Sequence, residues 1–267
     1  LGDVYKRQNR TNESMQSTQT RINTGEAIST AKDNAAIWSI AQDQRADMSA
    51  LGAVKMSLDR ATSIADVALA AGESVSDLLK LMREKVVAAK DTSLSSTSLQ
   101  SLNADFQGLL KNLGQVVSAA VFDGANLLDG SQAADMTFLA DADAAQAITL
   151  TLQNLTIGGP INTLQVGDDI LTSANATAVL TRLDETMKAV NQAVGNIGTQ
   201  AKQIEAHNSF VGKLNDVLET GVGNLVDADL AKESARLQAL QVKQQLGAQA
   251  LSIANSAPQI ILSLFKG

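Results

Sequence analysis

A seven-residue repeat of apolar side chains runs through the second half of the chain and limits what this sequence can fold into. The first seam position recurs at Leu183, Val190, Ile197, Ile204, Val211, Leu218 and Leu225. The second seam position holds Met187, Val194, Ala201, Asn208, Asn215 and Val222. This spacing places every one of these side chains on a single narrow stripe of an α-helix. The sequence therefore predicts a long helix over residues 183–225 that packs along other long helices, which is a structural or interaction device rather than a catalytic one.

The composition favours closely packed, thin helices over a thick globular core. The 267 residues include only five Phe, one Tyr and one Trp, and aromatic side chains supply the bulk of ordinary cores. The formal net charge is −7 with acids and bases interspersed, so we expect no nucleic-acid partner and no membrane partner. Cysteine is absent, which excludes disulfides and thiolate metal sites. The sequence shows neither an apolar run long enough to span a bilayer nor a secretory signal at its start.

Helical periodicity continues on both sides of this repeat. A first helical stretch is predicted from about residue 9 to 91, with a break near Gly25, and its clearest seam is Ile64, Ala68, Ala71, Val75, Leu78 and Met82. The Ser/Thr cluster at residues 92–98 predicts a turn. A second helix follows with Leu99, Leu102, Phe106, Leu109, Leu113 and Val116 at helical spacing. A last helix is predicted from about Asp227 to the C-terminus, and neither proline is expected inside a helix.

Between these helices the period changes from helical to alternating. Ile148, Leu150 and Leu152 alternate with polar residues and predict a half-buried strand. Residues 158–160 (Gly-Gly-Pro) end that strand, and residues 161–166 are predicted to pair back on it as a hairpin. The predicted fold class is mainly α: an elongated, antiparallel, coiled-coil-like bundle of long helices with a small β-hairpin insertion, whose N- and C-terminal segments pack together. The predicted domains are residues 1–35 with 227–267, residues 36–130 with 172–226, and a β-rich insertion at 131–171.

The residues that usually carry chemistry form no recognisable constellation. The single histidine, His207, lies beside the seam with no acid or nucleophile marked out as its partner, and we expect it to face solvent. Asp135, Asp141 and Asp143 lack the glycine and the terminal glutamate of a calcium loop, so a solvated acidic loop is expected. No phosphate-binding or dinucleotide-binding glycine motif is present in the sequence. We therefore expect no catalytic residue, no metal site and no cofactor, and hence no enzyme.

Two asparagines occupy consecutive positions of the long seam. Polar residues at such positions lower stability but can fix the register of the helices. Asn208 and Asn215 are equally consistent with that role and with a wet, loosely packed seam.

Several long motifs resemble those of bacterial flagellins. Residues 21–25 (Arg-Ile-Asn-Thr-Gly) and 29–41 (Ser-Thr-Ala-Lys-Asp-Asn-Ala-Ala-Ile-Trp-Ser-Ile-Ala) resemble the N-terminal conserved block of that family. Residues 224–234, 244–255 and 258–265 resemble its C-terminal block, and residues 122–130 (Phe-Asp-Gly-Ala-Asn-Leu-Leu-Asp-Gly) resemble the motif that closes the N-terminal region. The short middle is most similar to flagellins of alphaproteobacteria. Two alternatives stay open: a hook–filament junction protein, which shares these blocks more weakly, and, from another class, a signalling helical bundle.

This resemblance implies a structural subunit that polymerises into the extracellular flagellar filament used for motility. It implies that the terminal helices form an inner tube, that the other helices form a shell and that the β insertion faces outward. It also implies type III export in an unfolded state, and partners that comprise further copies of the chain, an export chaperone, and junction and cap proteins. Residues 1–8 match nothing in the family pattern, and we expect them to replace the native start of the inner helix.

The resemblance and the seam together nominate residues for two roles. Assembly and packing are assigned to Arg21, Asp33, Asn34, Trp38, Ile197, Asn208, Asn215, Asp227, Asp229, Gln245, Asn255, Leu264 and Phe265. Arg83 and Glu84 match two residues of the segment that an innate immune receptor reads in many flagellins, whereas Leu81 stands in place of an arginine. We therefore expect weak receptor activation. Residues 227–267 are expected to be disordered in the monomer and helical only after polymerisation.

Overall fold

The computed structural model describes residues 2–264, with side chains described for residues 5–253. The helices are α1 (Gly2–Thr24), α2 (Ala35–Ala89), α3 (Ser96–Ala119), α4 (Ser173–Val226) and α5 (Leu230–Leu264). The strands are β1 (Met136–Leu139) and β2 (Ala147–Leu150). This element order confirms the mainly α fold class with a small β hairpin. None of the helices, over the part of the chain that is described, is long and apolar enough to cross a membrane.

The chain divides into two compact units. Unit 1 comprises Leu1–Met48 with Asn215–Gly267, and unit 2 comprises Ser49–Leu214. Helices α2 and α4 each contribute residues to both units. Unit 2 also contains α3 and the β hairpin, whereas unit 1 contains α1 and α5.

The core of unit 2 includes a seam between α2 and α4, beside the buried residues of α3 and of the segments around the β hairpin. On α2 a series of buried residues recurs at steps of three and four, with Ile64 also buried beside them: Leu51, Val54, Leu58, Ala61, Ala65, Ala68, Gly72, Val75, Leu79, Met82, Val86 and Ala89. The two helices are antiparallel, because Arg83 Nε donates to Asp184 Oδ1 (2.8 Å) while Asn208 Nδ2 donates to Asp59 Oδ1 (2.6 Å). The predicted seam is shifted at two points, since Gly72 and Leu79 are buried whereas Ala71 and Leu78 are partly exposed. The physical reason is that small residues, including Gly72, carry the seam where the helices approach closely.

On α4 the predicted burial of the first seam position is confirmed from Leu183 to Val211. Near the C-terminal end of α4 it is not, because Leu225 is exposed. The second seam position differs before Ile197. There the buried residues are Thr186 and Ala193, whereas Met187 and Val194 are partly exposed. The seam takes two consecutive steps of four residues, from Ala193 to Ile197 and from Ile197 to Ala201, which is a stutter in the heptad pattern.

The β hairpin forms, but not with the predicted partner. β2 confirms the strand at residues 147–150, and it pairs antiparallel with β1, with Phe138 opposite Ile148. Residues 161–166 are not a strand, because side chains take their backbone groups: Thr163 N donates to Thr186 Oγ1 (3.1 Å) and Leu164 N donates to Asn162 Oδ1 (3.3 Å). The chain after β2 bonds instead to residues 127–128.

Unit 1 contains the antiparallel pair of α1 and α5. Gln8 Nε2 donates to the Gln244 carbonyl (3.4 Å) at one end, and Arg21 Nη1 donates to Glu233 Oε1 (3.2 Å) at the other. The terminal segments therefore pack together, as predicted. In the single chain, residues 230–264 form a helix beside α1, and the expectation that residues 227–267 are disordered in the monomer stays a prediction. Pro258 also lies within α5, contrary to the expectation that both prolines lie outside helices.

Candidate assembly site

The nominated residues fall into separate groups. Residues of the two connectors and the adjoining helix ends lie in unit 1: Arg21, Asp33, Asn34, Trp38, Asp227 and Asp229. Asn215 and the exposed Gln245 also lie in unit 1, whereas Ile197 and Asn208 lie in unit 2. The side chains of Asn255 and Leu264, and the whole of Phe265, lie outside the described residues. We call residues 21–48 and 222–233 the terminal junction, because the connectors α1–α2 and α4–α5 meet there.

Backbone hydrogen bonds join the two connectors. Ala27 N donates to the Val226 carbonyl (2.6 Å), and Ala228 N donates to the Gly25 carbonyl (2.8 Å). Gly25 has a φ of +75°, a left-handed conformation that favours glycine at the end of a helix. The break predicted near Gly25 is therefore confirmed, and its glycine lets the chain leave α1 and pair with the start of the other connector.

Asp33 and Asn34 organise the start of α2. Asn34 Oδ1 accepts from the backbone N–H groups of Ala36 (3.2 Å) and Ile37 (3.3 Å), which is a helix N-cap. The hydroxyl and the backbone N–H of Thr30 both donate to Asp33 Oδ2, at 2.9 and 3.0 Å. These hydrogen bonds hold the pKa of Asp33 below its usual value. Both residues thus shape the connector locally.

A small apolar core holds the terminal junction together. Ala41, Val222 and Val226 are buried, and Ile28, Ile37 and Met48 pack against them. Trp38 is half-buried, and Asp227 is exposed beside this core. Asp229 caps α5, since its Oδ1 accepts from Lys232 N (3.0 Å).

Two ion pairs of the terminal junction include residues that the sequence analysis missed. Arg45 Nη2 lies 2.6 Å from Glu26 Oε1, and Arg21 Nη1 lies 3.2 Å from Glu233 Oε1. Glu233 follows the helix-capping Asp229 by four residues and therefore lies in the first turn of α5, where an acid is favoured. This position is the signal in the sequence that could have identified it. Nothing in the spacing of Glu26 and Arg45 marks them as partners.

The seam residues behave differently from one another. Ile197 is fully buried. Asn208 bonds across the seam to Asp59, whereas the Oδ1 atoms of both Asn208 and Asn215 are buried with no hydrogen-bond partner among the described residues. The cross-helix bond of Asn208 is the contact that a register-fixing role requires, and that role stays a prediction.

The candidate receptor-contact residues lie on the exposed side of α2. Glu84 is exposed, and Leu81 is 48% exposed. The guanidinium of Arg83 is already engaged with Asp184 on α4. Arg83 therefore already has a partner within its own chain. Weak receptor activation stays a prediction.

His207 does not face solvent as expected. It is half-buried, and its Nε2 lies 2.6 Å from the carbonyl oxygen of Ala140, so it ties the β1–β2 loop to α4. Asp141 orders the same loop by accepting from Ala145 N (2.9 Å) and Gln146 N (3.1 Å), and Asp135 accepts from Leu152 N (2.9 Å). Within the described residues, no three His, Asp or Glu side chains lie close enough together to hold a metal ion.

Comparison with known proteins gives consistent matches along the chain. The profile of the bacterial flagellin N-terminal helical region matches residues 3–133, and that of the bacterial flagellin C-terminal helical region matches residues 180–265. The first match begins at residue 3, inside the stretch that the sequence analysis found unlike the family. Flagellin FljJ of Caulobacter vibrioides is 75% identical over 263 residues, covering 97% of this chain and 93% of that protein. A flagellin of Brucella melitensis is 36% identical over 266 residues, covering 96% and 93%.

Solved structures share the fold at lower sequence identity. A flagellin of Bacillus cereus is 21% identical with a TM-score of 0.51, covering 58% of this chain and 88% of that one. A flagellar hook-associated protein of Vibrio parahaemolyticus is 15% identical with a TM-score of 0.60, covering 73% and 100%. The sequence matches extend over both terminal regions and almost the full length of the relatives. The chain therefore belongs to the bacterial flagellin family, whose members are the structural subunits of the flagellar filament.

Proposed function

We propose that this subunit polymerises mainly through unit 1, with α1 and α5 on the inner side of the filament. The division follows the domain prediction: residues 1–35 with 227–267 inside, residues 36–130 with 172–226 as a surrounding shell, and residues 131–171 facing outward. The role is structural, and no catalytic step is assigned to any residue.

The apolar surface of α5 is the observation that carries this proposal. Over the described side chains of α5, Leu240 and Glu233 are buried, whereas Val242 and Leu246 are 54% and 58% exposed. Packing against α1 therefore leaves large aliphatic side chains in water. Covering such a side chain contributes about 1–2 kcal/mol, and several on one helix give a strong drive for association.

The proposal also names partners and a location. An export chaperone would cover the exposed aliphatic side chains of α5 before assembly, since an uncovered apolar helix surface promotes premature association. Junction and cap proteins would contact the first and last subunits of the filament. The assembled protein would act outside the cell.

Electron microscopy of purified, concentrated protein tests the proposal. The wild-type chain is expected to form long filaments of uniform width. The double variant Val242→Asp/Leu246→Asp is expected to stay monomeric with unchanged monomer helicity by circular dichroism, because both positions are exposed in the single chain.

Val166→Asp provides the matched control. Val166 is 76% exposed in the outward insertion of unit 2, so this variant is expected to polymerise normally. Filaments from the α5 double variant that match the wild type in length and number would contradict assembly through unit 1.

A further inference from the structure

The α1–α5 pair has little apolar packing with which to define its own alignment. Thr18 is the buried residue on the described part of α1, and Glu233 and Leu240 are the buried residues on that of α5. Apart from the bond of Arg21, the side-chain hydrogen bonds between the described parts of the two helices come from amide groups, such as that from Gln244 Nε2 to Asn12 Oδ1 (3.0 Å). Amide groups of this kind occur at many positions of both helices, so these bonds discriminate weakly between alignments.

The ion pair between Arg21 and Glu233 is the exception. Their side chains are 31% and 10% exposed, and Nη1 lies 3.2 Å from Oε1. Arg21 lies in the last turn of α1 and Glu233 in the first turn of α5, so each charge also has the sign that its helix end favours. Arg236 lies 3.9 Å from the same carboxylate oxygen and adds a second positive charge.

The pair is also sensitive to the loss of either partner. Arg21 Nε and Glu233 Oε2 are buried with no hydrogen-bond partner among the described residues. The cost of burying a donor and an acceptor without hydrogen-bond partners is offset here by the attraction between the opposite charges of the two side chains. Removing one partner from a buried pair is therefore far more costly than the pair itself is favourable.

A shift of one heptad in either direction would separate the two charges. In one direction Arg21 would come level with the buried Leu240, and in the other Glu233 would come level with Ser14. Each shift leaves a poorly hydrated charge without its partner and strains the backbone hydrogen bonds between the adjoining connectors, whereas the amide contacts along the helices can re-form. We propose that the Arg21–Glu233 pair sets the register of the α1–α5 pair, and so fixes which terminal surface a subunit offers for assembly. The second half of this statement rests on the proposed function.

Distance measurement between two spin labels on the full chain tests the register directly. The chain has no native cysteine, so Gln16→Cys and Gln238→Cys give a single labelled pair. Both positions are exposed, and each lies five residues from its member of the ion pair along the antiparallel helices. A slip of one heptad moves one label by about 10 Å along the helix axis.

The wild-type register is expected to give one narrow distance peak. Arg21→Glu and Glu233→Arg are each expected to lose that peak, by slipping or by fraying. The swapped double variant Arg21→Glu/Glu233→Arg is expected to regain its position, though with a weaker peak because Arg236 and both helix ends then face charges of the wrong sign. Lys232→Glu, at an exposed neighbouring position and with the same change in net charge as Arg21→Glu, is expected to keep the peak.

Two results would overturn the inference: an unchanged peak in both single reversals, or no recovery in the swapped variant although circular dichroism shows it to be helical. Electron microscopy of the unlabelled chains then separates this inference from the proposed function. Failure of the wild-type chain to polymerise would count against the function and leave the distance result standing. Single reversals that polymerise like the wild type would remove the assembly half of the inference.

Discussion

The α2–α4 seam of unit 2 and the α1–α5 pair of unit 1 are both antiparallel contacts between long helices, but they are built differently. In unit 2 a buried apolar residue recurs at almost every turn of both helices. In unit 1 the described parts of α1 and α5 bury one aliphatic side chain, one threonine and one glutamate. Both pairs leave some large apolar side chains exposed, such as Met56 and Val242, but the first buries a continuous apolar seam within the chain and the second does not. The difference shows that helical length does not tell how much of a helix surface its own chain covers.

The largest expected effect comes from placing a charge in the unit 2 seam. Ile197 is fully buried, so Ile197→Asp buries a carboxylate with no partner and is expected to lower the free energy of unfolding by about 4 kcal/mol or more. Val217→Asp on the same helix is the control, since Val217 is 66% exposed and should change stability by less than about 0.5 kcal/mol. Urea unfolding of the monomer, followed by circular dichroism, measures both. Equal midpoints for the two variants would mean that the seam is not the core of this unit.

Two glycines of α2 give opposite predictions. A Cβ at Gly72 would lie 2.7 Å from Val194 Cγ2, so Gly72→Ala is expected to destabilise by about 1–3 kcal/mol through overpacking. A Cβ at Gly52 meets nothing within 4 Å, so Gly52→Ala is expected to stabilise by about 0.5–1 kcal/mol. Adding Val194→Ala to Gly72→Ala should recover part of the loss. Thermal unfolding that shows the same sign for both glycine variants would refute the close approach of α2 and α4.

In unit 1 the loss of a buried aliphatic side chain is expected to cost less than it usually does in a well-packed core. Leu240 is the buried aliphatic residue on the described part of α5, and no other aliphatic residue there is buried beside it. Leu240→Ala is therefore expected to cost about 1–2 kcal/mol, below the usual range for a well-packed leucine, and to speed amide exchange of α1 and α5 about tenfold. Val242→Ala serves as the exposed control. Unchanged amide exchange rates in unit 2 of this variant would support the difference between the two contacts. An equal acceleration in unit 2 would contradict it.

The smallest expected effect is a pH dependence of the α1–α2 connector. The folded pKa of Asp33 is lowered by the Thr30 hydrogen bonds, so this carboxylate contributes stability that is present above its unfolded pKa, near 3.8. That contribution is lost as the pH falls through the lower folded pKa. Amide exchange at Thr30 should therefore accelerate below about pH 4.

A turn of unit 2 supplies the control for this titration. The pKa of Asp91 is likewise lowered, by hydrogen bonding from Ser93. Asp33→Asn should abolish the acid-induced change at Thr30 and leave that at Ser93 intact. A change at Thr30 that persists in the variant would show that another group controls this connector.

The sequence by itself determined the local elements of this protein. Helical periodicity placed α3 and α4, the glycine at position 25 ended α1, and the alternation at Ile148 and Leu150 identified β2. Each of these signals comes from residues within a few turns of one another, whose side chains share one face of a helix or strand. The long family motifs identified the terminal regions in the same way, from contiguous residues.

Only the tertiary structure decided which surfaces meet. It paired β2 with β1 rather than with residues 161–166, and it tied His207 to the β1–β2 loop. It also moved the seam to Leu79 and Thr186, because close helix approach at small residues selects the side chains that are buried. These choices depend on groups far apart in the chain competing for the same hydrogen-bonding and packing sites, and local periodicity carries no information about the outcome of that competition.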